Sequence, residues 1–109
     1  MKKVLFVGSS RRNIKEFPQE ACDTAGHQLW LVQQGKNPDD WKSMPSVGQG
    51  VKEIRIHYPH AHRVIYTAHF WEAVYVLHAF EKKTSKTSPK DIDIARKAYA
   101  QIKANRTKK

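Results

Sequence analysis

Three runs of β-branched and aromatic residues, Val51–Tyr58, Arg63–Phe70 and Ala73–Phe80, follow one another with turns at Pro59-His60-Ala61 and Trp71-Glu72 between them. A parallel crossover needs a dozen residues or more, so connections this short force the runs into an antiparallel meander. Everything else in the chain must be arranged around that sheet.

The flanking segments read as one more strand and the helices that cover the sheet. Val4 to Val7 is an apolar strand candidate punctuated by Gly8, Ser9 and Ser10, either serine being a suitable cap for a helix carrying Ile14 and Phe17. Pro18 disfavours helix at Phe17 and suits the first turn of a second helix. Ala21, Cys22, Ala25, Leu29 and Val32 then recur at helical spacing up to Gly35, a helix-stop residue. Residues 36–50 lack periodicity and read as a surface loop. Ser88, Pro89 and Asp91 form a helix start, with an apolar stripe of Ile92, Ala95, Tyr99 and Ile102. Asn105 to Lys109 have nothing to bury and are expected to fray. The expectation is a single α+β domain over residues 1–109: about four antiparallel strands, a helical hairpin on one face, a C-terminal helix, and the opposite face concave and open.

Charge narrows the partner. The chain has 20 Lys and Arg against 10 Asp and Glu, a formal charge of +10, and residues 81–109 hold ten of the bases but only three of the acids. Such a balance suits nucleic acid or an anionic membrane. No apolar run is long enough to span a bilayer, the N-terminal apolar stretch is too short for a signal peptide, and the single Cys22 permits no internal disulfide, so a cytoplasmic protein without membrane attachment is expected. Arg55, Arg63, Lys82 and Lys83 fall on or just after the strands, where a rigid sheet would hold cations in fixed positions against a polyanionic backbone. No zinc-finger ligand pattern accompanies the six histidines, and neither a metal nor another cofactor is expected.

Two motifs make the chain resemble the HigB-like, phage-derived branch of the RelE/ParE toxin superfamily. One is the glycine-led GVKEIRI strand followed by RVIY. The other is F-x-K-K-T-x-K-T, here Phe80 to Thr87, followed by a helix containing Asp93, Ile94 and Ala95. The resemblance implies a RelE-like fold and the toxin of a type II toxin-antitoxin pair, a metal-independent endoribonuclease that cuts mRNA on the ribosome. It also implies a helix-turn-helix antitoxin as partner. ParE-type relatives use the same fold to poison DNA gyrase, and a non-catalytic nucleic-acid-binding phage protein is a further alternative, since fold alone does not fix function.

An RNase of this kind drives a ribose 2′-hydroxyl against the adjacent phosphate, which requires cations around the developing charge and a route for the proton. The resemblance places the superfamily arginine at Arg63, whose guanidinium can grip two phosphate oxygens. Arg55 alternates with Glu53 and His57 on one strand face and can pair with Glu53 or with the Asp39-Asp40 loop. Lys82 and Lys83 complete the expected phosphate-binding set, and Glu53 or His78 is the expected proton-transfer group, His78 being in register with Phe80 and Lys82. Lys86, Lys90, Arg96 and Lys97 are expected to meet ribosomal RNA, while Tyr66 and Trp41 are candidates for base stacking. His60 and His62, at a hairpin tip, are expected to be exposed.

Overall fold

The computed structural model describes residues 1–107. Its elements are β1 (Lys3–Phe6), α1 (Ser10–Lys15), α2 (Gln19–Gln33), β2 (Trp41–Ser43), β3 (Val51–Ile56), β4 (His62–Thr67), β5 (Ala73–Glu81) and α3 (Pro89–Thr107). The meander β3-β4-β5 is antiparallel as its short turns require, and the domain is α+β. Two features differ from the sequence expectation. The sheet has five strands in the order β1-β5-β4-β3-β2, because residues 41–43 of the supposed loop pair with β3; and it is mixed, because β1 lies parallel to β5. A three-residue edge strand is too short to show alternation, which is why it was invisible in the pattern.

Helix ends follow from local chemistry. Pro18 lies just outside α2, as its N-cap rather than inside its first turn. At the other end Gly35 has φ +84°, and the N–H groups of Gly35 and Lys36 donate to the carbonyls of Val32 and Leu31 in a Schellman closure. In α3 the Ser88 hydroxyl accepts the Asp91 N–H at 3.2 Å and donates to the Asp91 carboxylate at 2.7 Å.

Both faces of the sheet are covered. On one, Ile14 of α1 and Ala21, Ala25, Leu29 and Val32 of α2 pack on Ile54, Ile56, Val64, Tyr66, Val74 and Val76. On the other, Ala95, Ala98, Tyr99 and Ile102 of α3 pack on Val51, Ile65 and Leu77. The second face is therefore not left open: α3 covers part of it, and only the remainder faces solvent. The central strand β4, covered on both sides, is buried at every residue, His62 included. His62 is 2% exposed, its ring 4.4 Å from that of Phe17, so the expectation of an exposed hairpin-tip histidine is wrong for this residue. Cross-strand partners share a face, so His62, opposite Ile56, points into the α1/α2 core.

A β-bulge sets what lies on the α3 face. Tyr66 pairs with Val76 but Ile65 pairs with His78, leaving Leu77 as the extra residue of β5. The insertion reverses the strand's phase, so His78 and Phe80 turn toward the α3 side although Val74 and Val76 point to the other. Lys82, next in that alternation, leaves β5 with its N–H bonded to the carbonyl of Ala61 at 2.8 Å.

The C-terminal turns of α3 are held rather than frayed, at least as far as Thr107. Arg106 pairs with Glu72 in the β4–β5 turn and lies over the Phe70 ring at 4.4 Å. Lys108 and Lys109, the rest of the expected frayed tail, lie outside the described residues. The hydrogen bond from Arg106 lowers the Glu72 carboxyl to about 2 from an ordinary 4.5, with Tyr75 adding a second donor. A depressed carboxyl contributes stability above its unfolded value and loses it as pH falls toward the folded one. The expected outcome is that Glu72→Gln lowers the thermal midpoint near neutral pH, and that the gap from wild type closes as pH falls from about 4.5 to about 2. A gap that is constant across that range would show that the ion pair contributes nothing.

A basic groove beside the third helix

The part of the second sheet face that α3 leaves uncovered is polar. In register, Lys42 stands opposite Glu53, Arg55 opposite Arg63, and Arg63 opposite Phe80, so these side chains share one surface. Its floor is an ion pair: Arg63 is 4% and Glu53 2% exposed, with Nε and Oε1 3.7 Å apart. Arg63 Nη1 donates to the carbonyls of His62 at 2.9 Å and Ile56 at 3.3 Å, while its Nε is buried with no hydrogen-bond partner among the described residues. Burial lowers the guanidinium pKa, and Arg55 pushes the same way against the attraction of Glu53. The other Glu53 oxygen accepts the Thr87 hydroxyl at 2.7 Å, tying the lysine-rich segment between β5 and α3 to the floor.

The rim carries the accessible charge. Arg55, half-exposed, has its Nε 3.9 Å from Asp40, the partner expected from the Asp39-Asp40 loop. That loop is fixed from below: buried Gln28 of α2 accepts the Asp39 N–H at 2.7 Å and donates to the Asp39 carboxylate at 2.9 Å, and the Arg55 N–H donates to the Asp40 carbonyl at 2.9 Å. Asp40 also meets His57 Nε2 at 2.5 Å, and this hydrogen bond is the main reason its carboxyl is lowered, with Arg55, His57 and Arg63 adding attraction against the cost of burial. Across the groove the Lys82 ammonium is lowered, by burial first and then by Arg63, with Glu53 opposing and Arg55 and Lys42 adding further repulsion. Lys42, Arg55, Arg63 and Lys82 thus crowd one another's charge, a field that favours a polyanion. Lys83 and Lys86 are exposed in the following segment.

Several expected site residues are placed elsewhere or immobilised. Glu53 is 2% exposed, with Arg63 3.7 Å from one oxygen and the Thr87 hydroxyl donating to the other, so it is buried in the floor rather than presented to a substrate. His78 is 6% exposed, stacked on Phe80, and its Nε2 lies 2.8 Å from the Asp91 carboxylate that Ser88 also holds, so it fastens the start of α3 to β5. Tyr66 is 2% exposed in the α1/α2 core, where burial raises its hydroxyl pKa, and it has no ring face for a base. Trp41 pairs with Ile54 on that same side, under the ammonium of Lys52 at 4.3 Å, away from the groove. Among the helix cations, Arg96 donates to the Ser46 carbonyl at 2.7 Å and Lys97 lies 3.4 Å from Asp93, while Lys90 is exposed near the start of α3.

Lys42 carries no sequence signal because its three-residue strand is too short to alternate, and the Asp40–His57 contact carries none because it joins residues 17 apart. Among the described residues no group of three or more His, Cys, Asp or Glu side chains could hold a metal ion. A cavity of about 730 Å³ lies away from the groove, between β1 and the C-terminal half of α3, lined by Leu5, Phe6, Trp71 and Ile102. The ionisable clustering, not cavity size, marks the candidate site.

No curated protein matches the chain. Residues 12–100, which include every groove residue named above, match the family described as phage derived protein Gp49-like (DUF891). The chain belongs to this Gp49-like family, a phage-derived family of RelE/HigB-like toxins.

Proposed function

We propose that the chain is the toxin of a type II toxin-antitoxin pair and cleaves mRNA on the ribosome without a metal, held in check by a helix-turn-helix antitoxin. Membership of a toxin family implies an antitoxin partner. The observation that carries the nuclease reading is the convergence of Arg55, Arg63 and Lys82 on one groove, with Arg63 anchored beneath the other two. In-line attack by a ribose 2′-oxygen concentrates negative charge on the phosphoryl oxygens, and preorganised cations in a partly dehydrated groove stabilise that charge more than they stabilise the ground state. Arg55 and Lys82 contact the phosphate, Arg63 supplies field and rigidity from the floor, and Lys83 helps orient the backbone. Lys86, Lys90, Arg96 and Lys97 continue the basic surface and serve docking on ribosomal RNA.

The direct test compares naked mRNA with mRNA on programmed ribosomes. The proposal expects cleavage on the ribosome and little on free RNA; equal rates on both would contradict it. Lys82→Ala should slow single-turnover cleavage about 10²-fold, the size of losing one preorganised charge. Lys86→Ala should instead weaken ribosome association and flatten its salt dependence, since each phosphate contact adds to the salt slope. Arg63→Ala strands a buried carboxylate, at a cost of about 3–5 kcal/mol of stability, so its activity must be read beside its thermal transition. A folded Lys82→Ala protein cutting at the wild-type rate would remove the groove from the chemistry.

A further inference from the structure

We propose that His57 is the proton acceptor of the cleavage reaction, with Asp40 as the residue that orients it; the inference rests on the nuclease reading above. The other expected bases are buried: Glu53 is 2% exposed beside Arg63, and His78 is 6% exposed with its ring stacked on Phe80. His57 is different. It follows β3 by one residue, its side chain is 60% exposed, and Asp40 joins it to the phosphate-binding rim: one carboxylate oxygen meets His57 Nε2 at 2.5 Å, and the other lies 3.9 Å from Arg55 Nε.

Asp40 is itself placed by fixed structure. Gln28 clamps its neighbour Asp39 to α2, and its own carbonyl accepts the Arg55 N–H. A carboxylate on Nε2 keeps the ring proton there and leaves Nδ1 with a free lone pair, the tautomer a base requires. The low Asp40 carboxyl is consistent with an acceptor that stays ionised. The charged group that meets the ring is Asp40, from the approach to β2; Asp40 in turn is attracted by Arg55 on β3 and Arg63 on β4, and Lys82, from the end of β5, is repelled by both arginines.

The step balances without an added reagent. The 2′-hydroxyl proton passes to His57 Nδ1 as the 2′-oxygen bonds to phosphorus. The P–O5′ bond breaks, and the leaving oxygen takes a proton from the Lys82 ammonium, whose lowered pKa makes it the better donor. The products are a 2′,3′-cyclic phosphate and a 5′-hydroxyl; exchange with water returns the His57 proton to solvent and restores Lys82.

The test is single-turnover cleavage of mRNA on programmed ribosomes at saturating protein, from about pH 6 to pH 8.5, the range in which imidazoles commonly change charge. Wild type is expected to lose rate toward the acid end. His57→Gln should be slower by about 10²-fold and should lack that acid limb. Asp40→Asn should slow cleavage in the wild-type background but add little on top of His57→Gln, because its effect runs through the ring; a merely structural Asp40 would give additive losses. Ratios to wild type at each pH cancel the ribosome's own response. His57→Gln within twofold of wild type, with the acid limb intact, would overturn the assignment while leaving the Lys82 result and the nuclease reading standing. Failure of wild type to cut on the ribosome would overturn both.

Discussion

The Glu53–Arg63 pair is the constraint around which the groove is built. At 3.7 Å and an effective dielectric of 20 the attraction is about 4 kcal/mol, while removing each ion from water costs several kcal/mol. The pair therefore adds little net stability compared with apolar residues of similar size. Its value is positional. The Ile56 and His62 carbonyls accept from Arg63 Nη1, Glu53 faces the Arg63 Nε at 3.7 Å, and Thr87 donates to the other Glu53 oxygen, so strands β3 and β4 and the segment entering α3 are fixed to one another at that point. A cation that cannot move holds its field in place, which is what a site acting on a phosphate requires.

Around that floor the fold divides its second sheet face. Over Val51, Ile65 and Leu77 the face is apolar and α3 packs on it; beyond α3 it is charged, with Glu53 and Arg63 buried as the floor and Arg55 half-exposed on the rim. The Leu77 bulge makes the division possible, because without the extra residue His78 and Phe80 would enter the α1/α2 core and Lys82 would leave the strand on the wrong side. His78 then serves as a fastener, joining β5 to the capped start of α3 through Asp91. A residue expected to handle protons instead holds the wall in position.

Much of this was legible in the sequence for physical reasons. Turns of two or three residues left the meander no other geometry, the Ser88-Pro89-Asp91 start carried its own capping chemistry, and Gly35 ended α2 where a positive φ was needed. Alternation placed Arg55 and Glu53 together, and basic residues after β5 marked the groove's edge. What was not legible depended on tertiary contact. Tyr66 looks like a stacking residue until β4 is seen to be covered on both faces, and Glu53 looks like a free base until Thr87, 34 residues away, is found on it. The parallel pairing of β1, the edge strand at Trp41 and the Asp40–His57 contact share that character: each joins distant segments, and none leaves a periodic mark.

The central claim is that the buried pair exists to position charge rather than to hold the protein together, and replacing both partners at once tests it most directly. The double variant Glu53→Leu with Arg63→Met leaves no stranded ion and roughly conserves volume, so its thermal midpoint should equal or exceed that of wild type. Its cleavage of ribosome-bound mRNA should fall by about 10²-fold or more. A double variant as stable as wild type that cuts at the wild-type rate would contradict the account.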